Sequence, residues 1–513
     1  MTYVQPNSIV EFFPELGISP NYENTLYFGT QADKNTYFSN LDKITTAEAL
    51  TYTREARNFI RVEKPISLLY NAGYMRFKNS SFENKWFYAF ITSVEYINNN
   101  TTQVNFEIDV MMTWMGAFTL NECFVERQHS TTDAVGDNIV EENLDIGDYI
   151  YNSVTRTHKM DNYSIIIGAS VDQTGASVAG GALVNNVYSG IMLHQFGTVE
   201  AANGFIDELT DKAKSDALVA CVMCPTQFIT GGQAVSEVVT VYKNLNNLDG
   251  YVPKNKKLFT YPYNYLVVTN GQGNYATFRY EFFMASATAC EFNLWGVAGL
   301  QPEAVLEPKS YKKMTPQIFN TAEKLTLTGF PQCAFNIDQY KAFLAQNSAS
   351  IAVDAVSTVA SGAISTVTSA LSGNIGGVVG SVANTAAKIA DTVAMHIDYA
   401  KKPPQSNGVQ TNGFLASNRL LDFYFMAQCI TAEYARIIDE YFTLYGYAQR
   451  KCMTPNMNAR PHWTYVKTIG CSISGRIPAD DAAKIENIFD NGVRFWKNHS
   501  EIGHYSSYNN APT

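Results

Sequence analysis

At 513 residues, 46% hydrophobic and 16% charged, the chain is too apolar to be disordered and long enough for roughly two to four domains. Forty-seven acidic against 37 basic residues leave a net charge of −10. This argues against a surface that grips nucleic acid, because phosphate neutralisation supplies most of such affinity. Any contact with DNA is expected to be repulsive or transient.

The 31 Tyr and 30 Phe favour sheets over long charged helices. The start has no basic n-region and no apolar h-region, so no signal peptide is expected. Eight scattered cysteines sit mostly in apolar runs and read as buried free thiols of a protein made in a reducing cytoplasm. Cys221 and Cys224 form a C-x-x-C pair that no second pair and no nearby His completes.

In chain order, residues up to about 149 read mainly as strand. Residues 86–97 and 103–110 alternate around Asn98-Asn-Asn-Thr-Thr102, the pattern of a β-hairpin. Another strand is expected at 67–77. Residues 175–190 read as a Gly-rich loop excursion and 198–217 as a helix. Strands resume at 257–268 and 275–285, and a helix is expected at 338–346.

That helix runs into residues 344–398, which contain no Phe, Trp or Tyr in a chain that is 13% aromatic. Within it, 355–387 carries no charged side chain. Ala352, Val356, Val359, Ala363, Val367 and Ala370 recur at helical spacing, and Val378, Val382, Ala386, Ile389 and Val393 repeat it. Gly376-Gly377 favours a reversal between the arms. Each arm of such a hairpin is about 35 Å long at roughly 1.5 Å per residue, close to the ~30 Å hydrocarbon thickness of a bilayer. The apolar set comprises Ile351, Val353, Val356, Val359, Ile364, Val367, Leu371, Ile375, Val378, Val379, Val382, Ile389 and Val393. A flexible linker and a buried structural hairpin are the bland alternatives. Beyond Lys401-Lys-Pro-Pro404, residues 431–445 and 480–497 read as helices, with 463–473 a strand between them. The first helix carries Tyr434, Ile437, Ile438, Tyr441 and Tyr445 on one predicted face.

Other polar features have modest readings. His129 has no nucleophile beside it and reads as structural. The run Asp133, Asp137, Glu141, Glu142, Asp145 and Asp148 lacks the register of a calcium loop and suits turns, caps and a subunit salt bridge. Asp480-Asp481 suits a helix start. Lys254, Lys256 and Lys257 read as a solvated loop. No P-loop, G-x-S-x-G or H-E-x-x-H motif occurs. No cofactor, metal or enzymatic activity is expected, although a glycosidase's paired carboxylates need no local signature.

Four blocks carry a resemblance. They are Phe106-Glu-Ile-Asp-Val-Met-Met-Thr-Trp114 with residues 123–129 and 142–147; Asp249-Gly-Tyr-Val-Pro-Lys-Asn-Lys-Lys-Leu-Phe-Thr-Tyr-Pro-Tyr263; Phe330-Pro-Gln-Cys-Ala-Phe-Asn-Ile-Asp-Gln-Tyr340 with 344–347; and Glu433-Tyr-Ala-Arg-Ile-Ile-Asp-Glu-Tyr-Phe442 with 445–447, 463–468, Ile488, Phe489 and Trp496. Together they resemble the tail-knob, or distal tail-tube, proteins of small short-tailed bacteriophages of Gram-positive hosts. The resemblance implies a hexameric tube ending the tail, joined to proximal tail or connector proteins and conducting duplex DNA. It also implies that each subunit's hydrophobic loop plugs the lumen and then enters the host cytoplasmic membrane.

The expected fold is β-rich α+β, with β-barrel or sheet tube domains, an inserted long hydrophobic helical hairpin and a helical and stranded C-terminal return. The expected division is 1–155 and 156–345 as tube domains, 346–402 as the membrane-active loop, and 403–513 as the returning segment. The expected place is the virion, at the distal end of the tail. Rival readings are a tail-tip cell-wall hydrolase and a receptor-binding adhesin. Turnover of peptidoglycan distinguishes the first, and saturable binding to cell-wall glycan the second.

Overall fold

The computed structural model describes residues 8–50, 59–80, 83–169, 192–212, 217–229, 235–299, 301–312, 323–334, 416 and 419–510. The chain forms two compact units. One comprises Met1–Leu144, Pro253–Lys257 and Arg436–Thr513, and the other Asp145–Val252 and Leu258–Ala435.

The first unit begins with a six-stranded antiparallel sheet, in the order Thr45–Leu50, Ser8–Phe13, Tyr74–Asn79, Phe87–Asn98, Thr101–Ile108, Phe59–Val62. Its two edge strands approach within 8 Å at Cα, so the sheet rolls towards closure. The period of two puts Val10, Phe12, Met75, Ala89, Val104 and Phe106 on one buried face. Phe13, Tyr74, Tyr88 and Phe90 fall on the other, against Phe38 of the helix Gln31–Asn40. The predicted hairpin is present, with Asn98 opposite Thr101 and a turn shorter than its Asn-rich run suggested. The predicted strand at 67–77 instead opens with a helical turn, Ile66–Leu69, before the strand Tyr74–Asn79.

Asp109 caps the short helix Val110–Trp114 by accepting the Met112 N–H at 2.9 Å. At the helix's other end, the buried Lys34 ammonium donates to the Met112 and Met115 carbonyls at 2.7 and 3.3 Å. Burial lowers Lys34 to about 8, while the two carbonyls take two of its three N–H donors.

A second sheet runs Asn24–Leu26, Val493–Trp496, Trp463–Ile469, Cys123–Gln128, Tyr447–Met453. Trp463 and Trp496 lie opposite each other, fully buried, with ring centroids 4.7 Å apart. The helix expected over 480–497 ends at Asn491. Gly492 takes φ +90, where a Cβ would also strike the Tyr465 hydroxyl, and Val493–Trp496 forms a strand. Partner pairing with Trp463–Val466 decides that segment, which helical propensity alone does not reveal.

The second unit holds three four-stranded antiparallel sheets. They run Tyr149–Arg156, Tyr424–Ile430, Asn264–Thr269, Tyr275–Phe278; then Met192–Phe196, Tyr163–Ala169, Leu218–Pro225, Gln332–Ala334; then Val235–Tyr242, Ala289–Val297, Glu303–Pro308, Leu325–Leu327. Residues from all three share one hydrophobic core, including Ile165, Leu266, Phe292 and Phe425. Helix Val199–Asp211 starts where predicted, with Thr198 capping the Ala201 N–H, and stops six residues early.

Two strand predictions are shortened. Lys256–Phe259 is a 3-10 turn and the strand begins at Asn264. The strand after Tyr275 ends at Phe278. The expected excursion at 175–190 and helix at 338–346 lie outside the described residues. A β-rich α+β fold of antiparallel sheets and few helices is what the chain adopts.

Candidate functional site at the root of the aromatic-free insert

The predicted apolar set from Ile351 to Val393, and the helical hairpin it implies, lie outside the described residues. The scaffold that this segment leaves and rejoins is described. On departure, Gln332–Ala334 pairs antiparallel with Leu218–Pro225, Gln332 opposite Val222. On return, Tyr424–Ile430 lies between Tyr149–Arg156 and Asn264–Thr269, as an inner strand of its sheet. Phe330 before the segment, and Ala416, Leu421, Phe423 and Phe425 after it, belong to one buried cluster. Both feet are thus rooted in the same core.

A polar clasp secures the return foot. The buried Asp422 carboxylate accepts the Thr157 hydroxyl, the His158 N–H at 2.9 Å and the Phe423 N–H at 2.7 Å. Arg156 donates to the Arg419 carbonyl and pairs with Asp161 at 3.2 Å. Asp161 also meets His158 Nδ1 at 3.0 Å. Burial raises Asp422 to about 6, against the pull of the Thr157 hydrogen bond and of Arg156. The arrangement holds a strand in place.

The remaining polar candidates resolve as structure. Cys221 and Cys224 are buried on Leu218–Pro225 and form no disulfide. Burial pushes the Cys224 thiol up to about 12, which suppresses thiolate chemistry. His129 is buried; its Nδ1 accepts the Tyr465 N–H at 2.9 Å, so Nε2 donates to the Thr443 carbonyl at 3.0 Å. Burial, with Arg460 adding to it, lowers His129 to about 3.

That depression has a consequence for stability. Between pH 6.5 and 3 the unfolded chain binds a proton at this position that the fold refuses. Stability is fully present above 6.5 and is lost as pH falls, by about 1.4 kcal/mol per unit. Asp109, raised by burial to about 6, works in the opposite direction between 6 and 4. Denaturant melts of the wild type and of His129→Asn, differenced at each pH, isolate the His129 contribution. The expected result is a flatter acid slope in the variant; parallel slopes would refute it.

Two members of the acidic run, Asp133 and Glu142, meet Lys256 and Lys257 in the first unit. Asp133 accepts the Lys256 N–H at 2.8 Å and the Tyr447 hydroxyl. Glu142 pairs with Lys257 and Arg127, both inside the fold, and Lys257 also donates to the Val140 carbonyl at 2.7 Å. Burial drives the Lys257 ammonium downwards, as do Arg127 and Arg450, while Asp133 resists. The expectation of a solvated loop is therefore wrong for Lys257, which is 3% exposed. Asp137 and Asp145 serve local turns, accepting the Ala134 and Gly147 N–H groups. Asp480 and Asp481 lie in the first turn of Ala479–Asn491, as expected.

The residue that sequence reasoning missed is Asp439. The helix expected over 431–445 is present as Ala432–Tyr445, but its buried face is Ala435, Ile438, Asp439, Phe442 and Thr443. Ile437, placed on the apolar face by sequence, is 57% exposed. A carboxylate on the inner face made the true stripe read as polar. Asp439 accepts the Lys254 N–H at 2.7 Å and the Asn255 N–H at 2.9 Å. Among the described residues, no group of three or more His, Cys, Asp or Glu could hold a metal ion, and no helix is long and apolar enough to cross a membrane.

Residues 226–510 match the family model of the Bacillus phage phi29 tail knob protein gp9, C-terminal domain. Residues 6–119 match that of the Caudoviral major tail protein N-terminus, a range that contains the six-stranded sheet. The tail knob proteins gp9 of Bacillus phages PZA and phi29 are each 24% identical to this chain, over 98% of it and 98% of their own length. The structure of the bacteriophage C1 tail knob protein, gp12, has the same fold, with a TM-score of 0.66 and 14% identity over 99% of this chain and 100% of that one. The resemblance carried by the four sequence blocks is borne out.

Proposed function

Because the chain belongs to the family of the phi29 tail knob protein gp9, and is thus a virion structural protein of the phage tail, we propose that it is a distal tail-tube subunit whose residues 346–402 act on the host membrane. Six copies close into a ring joined to the proximal tail proteins, and the ring conducts duplex DNA during ejection. The apolar segments plug the tube before infection and then penetrate the cytoplasmic membrane.

One observation carries this reading. A 55-residue stretch without an aromatic side chain, uncharged over 355–387, is flanked by residues buried in a single core. Such a segment lacks the bulk to fill a core of its own, and rooted feet let it move without unravelling the sheets. Liposome leakage by the intact chain and by an insert deletion tests it. The relatives are structural tail knob proteins, not enzymes, which weighs against the hydrolase.

Assembly has its own test. Closure into a ring removes exposed sheet edges and repeats one interface. Light scattering at neutral pH is expected to give a particle about six times the 56.9 kDa subunit mass, with a central channel in images. A stable monomer at high concentration would rule the ring out.

A further inference from the structure

Two buried free thiols of the first unit, Cys123 and Cys471, meet each other, and the conduit and membrane roles use neither. Cys123 opens Cys123–Gln128, an inner strand of the five-stranded sheet. Cys471 follows the neighbouring strand Trp463–Ile469, whose last pair sets Ile469 opposite Phe124.

Strict alternation would part the two side chains. Continuing the register by one residue places Gly470 opposite Cys123, so the residue after Gly470 would point to the other face. Gly470 instead takes φ +67, which breaks the alternation and leaves Cys471 buried as Cys123 is. Asp490 of the helix Ala479–Asn491 fixes this turn. Its carboxylate accepts the Thr468 hydroxyl at 2.7 Å, the Cys471 N–H at 3.0 Å and the Gly470 N–H at 3.1 Å. Phe124 and Ile469 stay exposed, while the two buried sulfurs lie within hydrogen-bond reach of each other.

This backbone suits a covalent link. Residues directly opposite in antiparallel strands are about 4.5–5.5 Å apart at Cα. A disulfide needs about 4.4–6.8 Å, so a partner one position along remains in reach. Cys452, by contrast, lies opposite the exposed Phe124 and is itself exposed. Burial raises the Cys123 and Cys471 thiols, the second to about 12, with Cys123 and Asp490 adding to that rise. Little thiolate then forms at neutral pH, so the pair reacts slowly and stays reduced during synthesis.

We propose that Cys123 and Cys471 close to a disulfide when the protein meets an oxidising low-mass disulfide, and that this bond staples the end of the strand pair. One cysteine loses its proton and attacks the small disulfide, displacing a small thiolate that takes up the proton. The second cysteine loses its proton, attacks the protein sulfur of the mixed disulfide and releases the other half as a thiol. Two electrons pass from the cysteine pair to the small disulfide, which ends as two thiols. Cys471 shares a core with Met111 and with Ile485, Ile488 and Phe489 of the helix, so the staple ties sheet to helix. A tail protein meets oxidising surroundings once the particle leaves the cell.

The test incubates the full-length reduced protein with oxidised glutathione at about pH 8.5, then alkylates it in denaturant with N-ethylmaleimide and maps the peptides by mass. Glutathione on the exposed Cys452 reports that the oxidant is active. The expected product is a linked pair of peptides holding Cys123 and Cys471, lost on reduction and absent from Cys123→Ser and Cys471→Ser. Thermal melts of the reduced variants establish that both fold. Oxidation is expected to raise the melting midpoint of the wild type by at least about 4 °C, read by tryptophan fluorescence, to which Trp463 and Trp496 of the same sheet contribute, and to raise neither variant. Alkylation of both cysteines after Cys452 has fully reacted would overturn the proposal. So would glutathione held on either one without the link, or a link that leaves the midpoint unchanged or lower.

Discussion

Replacing residues 348–400 by a short Gly/Ser bridge is expected to leave both units folded and to abolish dye leakage from liposomes. The folding half of this result follows from the feet. Phe330, Ala416, Leu421, Phe423 and Phe425 keep their shared core, and the Asp422 clasp lies wholly outside the excised residues. Each halving of the connecting loop lowers its closure cost by only about 0.6 kcal/mol, so the melt should be unchanged or slightly improved.

The membrane half follows from the side chains removed. On an insertion scale each Val, Ile or Leu contributes only ~0.3–0.6 kcal/mol, while the Ser, Gly and Asn residues oppose insertion. That marginal balance suits a segment stored in a particle and released on cue. Asp354, Lys388, Asp391, His396 and Asp398 bracket the uncharged middle and should stay near water, because charge at bilayer depth is expensive. The measurement is leakage rate for intact and deleted protein at matched particle concentration over a pH series. If the deleted protein leaks dye as fast as the intact one, the insert is not the membrane-active element. Loss of the sheets on deletion would separately contradict the rooting of its feet.

Asp439→Ala is expected to destabilise the first unit by about 3–5 kcal/mol. The carboxylate sits on the inner face of Ala432–Tyr445 and holds two successive backbone N–H groups of Pro253–Lys257. Asn255 adds a side-chain bond from Nδ2 to the same carboxylate at 2.7 Å. Alanine removes the acceptor of the Lys254 and Asn255 N–H groups, the latter buried, which costs more than the bonds themselves contribute, while Asn255 Nδ2 keeps the Asp439 carbonyl and the Thr443 hydroxyl.

The damage would spread, because the same five-residue segment presents Lys256 to Asp133 and Lys257 to Glu142. Asp439→Asn retains one oxygen and is expected to lose about half as much. Urea denaturation, following the midpoint of the first unit, distinguishes the two variants. Equal midpoints for wild type and Asp439→Ala would show that the segment is held by other means.

Much of the molecule was legible before its structure. The hairpin of Phe87–Asn98 and Thr101–Ile108 follows from period-two alternation and an Asn-rich turn, both local properties. The start of Val199–Asp211 follows from Thr198, whose hydroxyl needs only its own third neighbour. The structural role of His129 follows from the lack of a reactive neighbour, although its two partners, Tyr465 and Thr443, are more than 300 positions away.

What could not be read is what depends on distant partners. Val493–Trp496 becomes a strand because Trp463–Val466 lies beside it, so a local helical pattern carried too far. Lys257 is buried because Glu142 meets it, and no spacing rule pairs residues 115 positions apart. Asp439 turns the inner face of its helix by accepting bonds from a segment nearly 200 residues earlier. The sequence by itself determined the sheet-rich class, the family and the position of the aromatic-free insert, since composition and short-range periodicity are properties of contiguous residues. Only the tertiary structure decided which charges are buried and where the insert is rooted, because desolvation is offset by whichever partner the fold brings within hydrogen-bond reach.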